Sequence, residues 1–313
     1  MITVRAARLH EHGKPLVIES VDLPEPNEDE VLVELEFGGV NPIDTYVAAG
    51  QVAAEAPLPR TLGGEASGTV DGRPVMVVSE GLGTGRDGVW AAAAVVPRAA
   101  VHELPDGVAP GKAAAMGIAG LTAWNVVRGV GRVSSEDRVL VLGASGGVGT
   151  MIVSLCKSIG AKVLGQTGRE AKVALIERLG ADPLVAEPDE LAAALDGFEP
   201  TIAFDPLGDG FVRPVVDALV PSGRLVSFGT SAGAEVSFNL QKVYRKGLSL
   251  LGYAGGQLTP EQRRVGLEGG LRALRDGELE VVIDSVLPLD EVNEAFARLA
   301  HRSVSGNLLL ALG

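Results

Sequence analysis

The sequence predicts an α/β protein in two parts, a β-rich portion and a doubly wound parallel sheet, and three observations carry that prediction. From Val139 onward, short apolar runs alternate with amphipathic stretches of helical period, the order expected of parallel strands with helices on both faces. Residues 1–110 instead read as short strands punctuated by Pro24, Pro26, Gly38, Gly39 and Pro42. Within them Val31-Leu32-Val33-Glu34-Leu35-Glu36-Phe37 alternates apolar with acidic residues, as a strand with one wet face does. The third observation is the join between the first apolar run and its helix, the glycine turn Gly143-Ala144-Ser145-Gly146-Gly147-Val148-Gly149.

With 313 residues, 46% of them apolar and 21% charged, the chain is long enough for two domains with cores of their own. No apolar run approaches the roughly 18–20 residues that span a bilayer, and Met1-Ile2-Thr3-Val4-Arg5 reads as a strand rather than a signal peptide. The expectation is a cytoplasmic protein with no membrane partner. A net charge of −13 repels phosphate backbones, so no nucleic-acid partner is expected. The single cysteine, Cys156, excludes an internal disulfide and a cysteine-rich zinc site. It lies on the apolar face of a helix and reads as a packed thiol.

Taken in order, Val70-Asp71-Gly72-Arg73 is a tight hairpin turn, because Asp-Gly tolerates positive φ at both central positions. Ala48–Arg60 and Gly81–Gly88 are loops, either near a substrate or plain connections. Lys112–Val127 is a helix interrupted at Gly117 and Gly120. Strands then follow at Val139–Leu142, Lys162–Gln166, Leu184–Ala186, Thr201–Phe204, Arg224–Phe228 and Leu248–Tyr253. The helices between them end at Ile159 and span Ala171–Leu179, Asp189–Leu195 and Val212–Leu219. Helices Pro260–Arg275 and Leu289–Ala300 and a closing strand Leu308–Leu312 return to the first domain. The expected domains are therefore 1–110 with 257–313, and 111–256.

The glycine turn carries the first functional argument. Val148, Met151, Ile152, Leu155, Cys156 and Ile159 follow it at helical spacing, so the order is strand, turn, helix. Gly143, Gly146 and Gly149 let the backbone turn tightly and approach a diphosphate, with the first helical amides and the helix dipole toward the anion. The same letters fit G-x-S-x-G, the nucleophile elbow of hydrolases, with Asp205 and His301 following Ser145 in chain order. Against that alternative, His301 ends an amphipathic segment, Val292, Ala295, Phe296 and Leu299, where a surface position is natural. An acid at the end of the second strand would mark NAD. Here the strand ends Gly165-Gln166-Thr167-Gly168, and Arg169 and Lys172 come next. Two cations suit a 2′-phosphate, so NADPH is expected; the alternative is that both are solvated residues opening a helix. Glu170 lies past the strand end, toward solvent.

Further markers are Gly39-Val40-Asn41-Pro42-Ile43-Asp44-Thr45-Tyr46, Leu62-Gly63-Gly64-Glu65-Ala66-Ser67-Gly68, Ala119-Gly120-Leu121-Thr122-Ala123-Trp124, Ser222–Gly229 and Ser305-Gly306-Asn307-Leu308. With these, nearly the whole chain resembles the zinc-independent, quinone-oxidoreductase branch of the medium-chain dehydrogenase/reductase superfamily, the group containing ζ-crystallin. The resemblance implies a split, GroES-like β-rich catalytic domain and a Rossmann NADPH-binding domain. It implies hydride transfer from NADPH to a quinone, enone or enal, with an enoyl-thioester as the alternative substrate and a non-catalytic NADPH-binding protein as a third class. Zinc-dependent relatives carry a cysteine near position 41 and a histidine in a Gly-His-Glu triplet. This chain has Asn41 and Gly64 there, and only His10, His12, His102 and His301 elsewhere, so no metal is expected.

By the same resemblance the catalytic residues are Tyr46, as a donor or proton source, and Asn41, which would orient the cofactor. Cofactor contacts are implied at Asn41, Thr122, Gly146, Gly147, Val148, Gly149, Thr167, Arg169, Lys172, Phe228, Gly229, Thr230, Leu251, Tyr253 and Asn307. Leu251 and Tyr253 would offer backbone groups to the carboxamide. A homodimer through the sixth Rossmann strand is implied as well. Three departures stand out: a tyrosine usual after the third strand is replaced around Ala186-Glu187, a near-terminal Gly-Lys is Gly306-Asn307, and the first domain is shortened around Val70–Pro74.

Overall fold

The computed structural model describes residues 2–195 and 197–313. The chain divides into two compact units, Met1–Gly120 with Val281–Gly313, and Leu121–Glu280. Both boundaries differ from those expected at 110 and 256. Helix Pro110–Ala114 packs on strands of the first unit, where Gly111 meets Leu309, Ile283 and Phe37. Helix Pro260–Arg275 belongs to the second unit. Its Gly266 leaves no room for a Cβ against Leu121 and Asn125, and its Gly269 none against Trp124. Helical periodicity marks an apolar face without naming the surface that covers it.

In the first unit a seven-stranded sheet runs Ile283–Pro288, Asn307–Ala311, Glu30–Val40, Glu65–Val70, Arg73–Val78, Val101–Glu103, with Ala93–Pro97 also paired to Glu30–Val40. A second sheet has the order Val17–Leu23, Ile2–Leu9, Arg60–Thr61. The Asp71-Gly72 hairpin forms as expected, with φ of 49° and 74° at its two central residues and Val70 opposite Arg73. Trp90 fills the middle of the unit. It is fully buried, its indole N–H donates to the Gly39 carbonyl at 3.0 Å, and its ring meets the edge of Phe296. Gly38 and Gly63 face that ring where a side chain would not fit. The segment expected as helix Leu289–Ala300 opens with a 3₁₀ turn, Leu289–Glu291, and continues as helix Val292–Ala300.

The second unit is a six-stranded sheet in the order Asp182–Val185, Lys162–Thr167, Arg138–Val141, Ile202–Asp205, Arg224–Ser227, Ser249–Gly252. Every neighbouring pair is parallel. In chain order this is third, second, first, fourth, fifth, sixth, a doubly wound sheet whose direction of travel reverses between the first and fourth strands. Helix Gly147–Ile159 buries Met151, Ile152, Leu155 and Cys156 and ends at Gly160 in the left-handed conformation. Burial pushes the Cys156 thiol far above its ordinary pKa, so it packs and does not react.

Two expected helices are broken further than the pattern shows. Residues 171–179 begin as a 3₁₀ turn, Glu170–Lys172, before helix Val173–Arg178. The segment 112–127 becomes helix Pro110–Ala114, helix Gly117–Trp124 and a π-helical stretch Asn125–Val130. The Asn125 amide donates to the Leu121 carbonyl at 2.9 Å, competing with the backbone for that acceptor. Among the described residues no helix is long and apolar enough to cross a membrane.

The tightest constraint in the second unit is at Gly149, where a Cβ would overlap the Gly143 carbonyl oxygen and press on the Ala144 backbone. Backbone cannot move aside as a side chain can. Gly149→Ala is expected to lower unfolding stability by about 1–3 kcal/mol, read by urea denaturation. A variant as stable as the parent would show that the turn adapts.

Candidate functional site

The glycine turn leaves strand Arg138–Val141 at the reversal point of the sheet. Gly143 has φ of 60°, a conformation glycine adopts without strain. The turn is tied to its neighbours by one side chain: Gln166 accepts from the Gly143 N–H at 3.0 Å and donates to the Ala186 carbonyl at 2.7 Å. The Ala144 N–H donates to the Gln166 carbonyl. Gly146 is the N-cap of helix Gly147–Ile159 and brings no side-chain cap, so the first-turn amides of Gly147, Val148 and Gly149 are offered to a ligand. A cradle of this kind, lined where a Cβ would intrude, fits a diphosphate. Ser145 and Thr167 are buried beside it with their hydroxyls 3.4 Å apart.

At the end of the second strand Arg169 is the N-cap of the turn that carries Lys172. The structure adds an acid there. The Glu187 carboxylate lies against Gly168, leaving no space for a Cβ. It arrives from beyond the third strand, so the second strand itself, which ends without an acid, gives no sign of it. Phe228, Gly229 and Thr230 follow the fifth strand: the Phe228 N–H donates to the Asp205 carbonyl and Gly229 packs on the Pro206 backbone. Beyond the sixth strand, the Tyr253 N–H is taken up by the Ser227 carbonyl. That amide is engaged by the neighbouring strand. The Tyr253 hydroxyl lies instead beside Thr122 and Asn125, where burial, the larger effect, raises its pKa and those two side chains oppose the rise. Leu251 sits in strand Ser249–Gly252, half-buried.

The first unit holds the other group. Asn41 caps helix Pro42–Ala48, its N–H donating to Asp44 Oδ2 at 2.8 Å. Its side-chain amide donates to Glu65 Oε1 at 2.5 Å, and the second Glu65 oxygen accepts from the Ile118 N–H. Both acids are buried. Burial is the main cause that pushes Glu65 up to about 8, against the bonds from Asn41 and Ile118, and Asp44 up to about 7, against the bond from Asn41. Tyr46 lies one turn along the same helix, half-buried. Asn307 turns its side-chain amide to the Val282 carbonyl at 2.9 Å; its donor is engaged inside the first unit.

Residues 27–106 match the family model described as alcohol dehydrogenase GroES-like domain, and residues 147–268 the model described as zinc-binding dehydrogenase. Quinone oxidoreductase 1 of Escherichia coli is 28% identical, across 96% of this chain and 97% of its own length. A phenolphthiocerol/phthiocerol polyketide synthase protein of Mycobacterium tuberculosis is 30% identical across 95% of this chain, which spans only 14% of that protein. The crystal structure of AibC superimposes with a TM-score of 0.89 at 27% identity, covering 99% of this chain and 96% of that one. The chain belongs to the quinone-oxidoreductase-type medium-chain dehydrogenase/reductase family.

Among the described residues no group of three or more His, Cys, Asp or Glu side chains could hold a metal ion. The nucleophile-elbow alternative fails at Asp205. Its Oδ1 accepts from the Leu207 and Gly208 amides, and its buried Oδ2 has no partner, so it holds no imidazole. His301 is the exposed C-cap of helix Val292–Ala300.

Burial raises the Asp205 pKa, with the two amide bonds opposing. A raised carboxylate pKa contributes stability that is full below the ordinary carboxylate range and is lost as pH rises through the raised value. Asp205→Asn keeps the acceptor and removes the buried charge, so it should match or exceed the parent in stability at pH 8 and gain less at pH 5. Asp205→Ala strips two amides of their acceptor, at about 1–3 kcal/mol for each. Denaturation of both variants at the two pH values checks this ordering; an Asn variant as damaged as the Ala one would overturn it.

Proposed function

We propose that this protein is an NADPH-dependent, zinc-independent reductase of quinones and α,β-unsaturated carbonyl compounds. The observation that carries the reading is the glycine turn at the reversal point of the sheet, with Gly149 packed on Gly143 so closely that only a bare backbone can face a diphosphate. Gly146, Gly147, Val148, Gly149 and Thr167 would hold the diphosphate side. Thr122, Phe228, Gly229, Thr230, Leu251, Tyr253 and Asn307 would lie along the rest of the cofactor. Arg169 and Lys172 favour a 2′-phosphate; Glu187 opposes it, one acid against two cations. The bound cofactor supplies a hydride.

What the chain must then supply depends on the acceptor. A ketone reduced at its carbonyl builds charge on one oxygen and gains from a Lewis acid. Hydride added to the β-carbon of an enone or to a quinone leaves a delocalised enolate or phenolate, for which hydrogen-bond donors and a proton are enough. Asn41 orients, and the Tyr46 hydroxyl donates to the acceptor oxygen or delivers the proton. The polyketide synthase relative supports a second reading, an enoyl-thioester acceptor. The acidic chain, with a net charge of −13, disfavours an acidic carrier of that thioester. A cytoplasmic setting without nucleic-acid partners belongs to the same proposal.

Fluorescence titration with NADPH and NADH, then oxidation of NADPH with a quinone, an enone and a crotonyl thioester, tests it. NADPH should bind at least about tenfold more tightly than NADH, an advantage of roughly 1.4 kcal/mol, and Arg169→Ala with Lys172→Ala should erase the difference. Tyr46→Phe should lower kcat by no more than about 10²-fold, the low end for a positioned general acid, because water can replace it. Failure of both nucleotides to bind would sink the reading. Turnover of the thioester alone would replace the substrate class.

We further propose a homodimer through the sixth strand. Ser249–Gly252 is the sheet's edge, with Leu250 exposed on it and Leu240 and Tyr244 exposed on the preceding helix, and an open apolar edge invites pairing. Leu250→Lys should convert a dimer to a monomer in sedimentation equilibrium. A parent chain that sediments as a monomer rejects the idea.

A further inference from the structure

Glu187 brings a carboxylate to the end of the second strand from beyond the third. The two strands are parallel, with Thr167 opposite Val185, and their pairing continues past that point. The Ala186 N–H donates to the Thr167 carbonyl at 3.1 Å, and the Ala186 carbonyl accepts from the Gln166 side chain at 2.7 Å. Glu187 therefore leaves the sheet beside Gly168. The three atoms nearest to where a Gly168 side chain would begin all belong to the Glu187 carboxyl group. Gly168 does not have a positive φ, so its backbone would accept another residue. What fills its side-chain space is the carboxylate.

We propose that Glu187 is a specificity-determining residue: its carboxylate accepts from the 2′-hydroxyl of the adenosine ribose of NADH and repels the 2′-phosphate of NADPH, so that NADH is kept as the weaker second cofactor. The proposal rests on the dinucleotide reading of the glycine turn. The Thr167 hydroxyl lies 3.4 Å from that of Ser145 in the turn, and Gly168 is the next residue along, one step from the group beside the diphosphate cradle. A carboxylate has acceptors only. A ribose hydroxyl can donate to it, and an ionised phosphate cannot.

Glu187 has a structural duty as well. It is the N-cap of helix Pro188–Ala194, and in the capping box its side chain accepts from the Glu190 N–H. That bond does not exhaust it. A carboxylate offers about four acceptor sites on two oxygens, and Glu187 is exposed. Arg169 and Lys172 follow Gly168 in the chain, so groups of opposite sign flank the strand end, the cations suited to the phosphate and the acid to the hydroxyl.

Two variants separate ligand binding from capping. Glu187→Ser removes the carboxylate and keeps a residue that caps helices well. Gly168→Ala keeps the carboxylate and pushes it off the strand end. Calorimetric titration of the full chain with NADH and with NADPH reads both. In Glu187→Ser, NADH should bind about tenfold more weakly, as expected for the loss of a hydrogen bond to a charged group. NADPH should bind as tightly as before or more so, and the preference for it widens accordingly. Gly168→Ala should weaken NADH more than NADPH. Equal changes for the two nucleotides in Glu187→Ser, or no change, would reduce Glu187 to a helix cap and overturn the proposal. NADPH gaining while NADH holds would overturn it too, since a repelling charge alone does that. A parent that binds NADPH and not NADH would likewise reject it. If Glu187→Ser does not fold, Gly168→Ala decides, an equal loss of both nucleotides counting against. If the parent binds neither nucleotide, the dinucleotide reading falls and the proposal with it. If the parent binds both and the variants leave the ratio alone, the reading stands and only the proposal falls.

Discussion

One buried carboxamide, that of Gln166, holds the ligand end of the parallel sheet together. It is 2% exposed, accepts from the turn after the first strand and donates to the residue after the third. The second strand thus fixes both its neighbours at the level where their loops depart. A carboxylate here could not satisfy the Ala186 carbonyl, and an aliphatic side chain could satisfy neither group. Buried polar groups without partners cost more than a hydrogen bond between partners gains, so donor and acceptor must sit on one short side chain. With Gly143 held in this way, the helix that begins at Gly147 is aimed as part of the sheet, and its uncapped amides point where the backbone has been fixed.

The first unit solves a related problem with charge. Glu65 and Asp44 are both buried, which by itself destabilises their ionised forms. Glycines at 39 and 117 let backbone crowd the carboxyl group, and Trp90 closes the same region by bonding the Gly39 carbonyl. Packing alone does not require an acid at this place, since an apolar residue of the same volume would bury more cheaply. The acid is held there as the acceptor of two donors, the Asn41 side-chain amide and the Ile118 N–H.

Much of this was legible. The glycine turn, the six strands and helix Pro260–Arg275 follow from period and turn residues, because these are local properties of the chain. What failed was nonlocal. Helix Pro260–Arg275 has the expected bounds, but its covering surface is chosen by Leu121, Trp124 and Asn125, far away in sequence. The break of residues 112–127 into three pieces depends on the Asn125 amide and on Glu65 pressing at Gly117, neither visible as a helix signal. Glu187 reaches Gly168 from the next strand, so a search for an acid at the end of the second strand passes over it.

Glu187 also shows why the overall charge does not settle the choice of dinucleotide. The chain carries −13, which on its face argues against an extra phosphate. That charge is spread over the surface, and at physiological salt it is screened beyond about 8 Å. A 2′-phosphate would feel the groups within that distance, and on the proposed reading these include Arg169 and Lys172 on one side of the balance, with Glu170 between them in the chain and Glu187 on the other side. The choice of dinucleotide would then turn on side chains from two strand ends, one of which the linear sequence conceals.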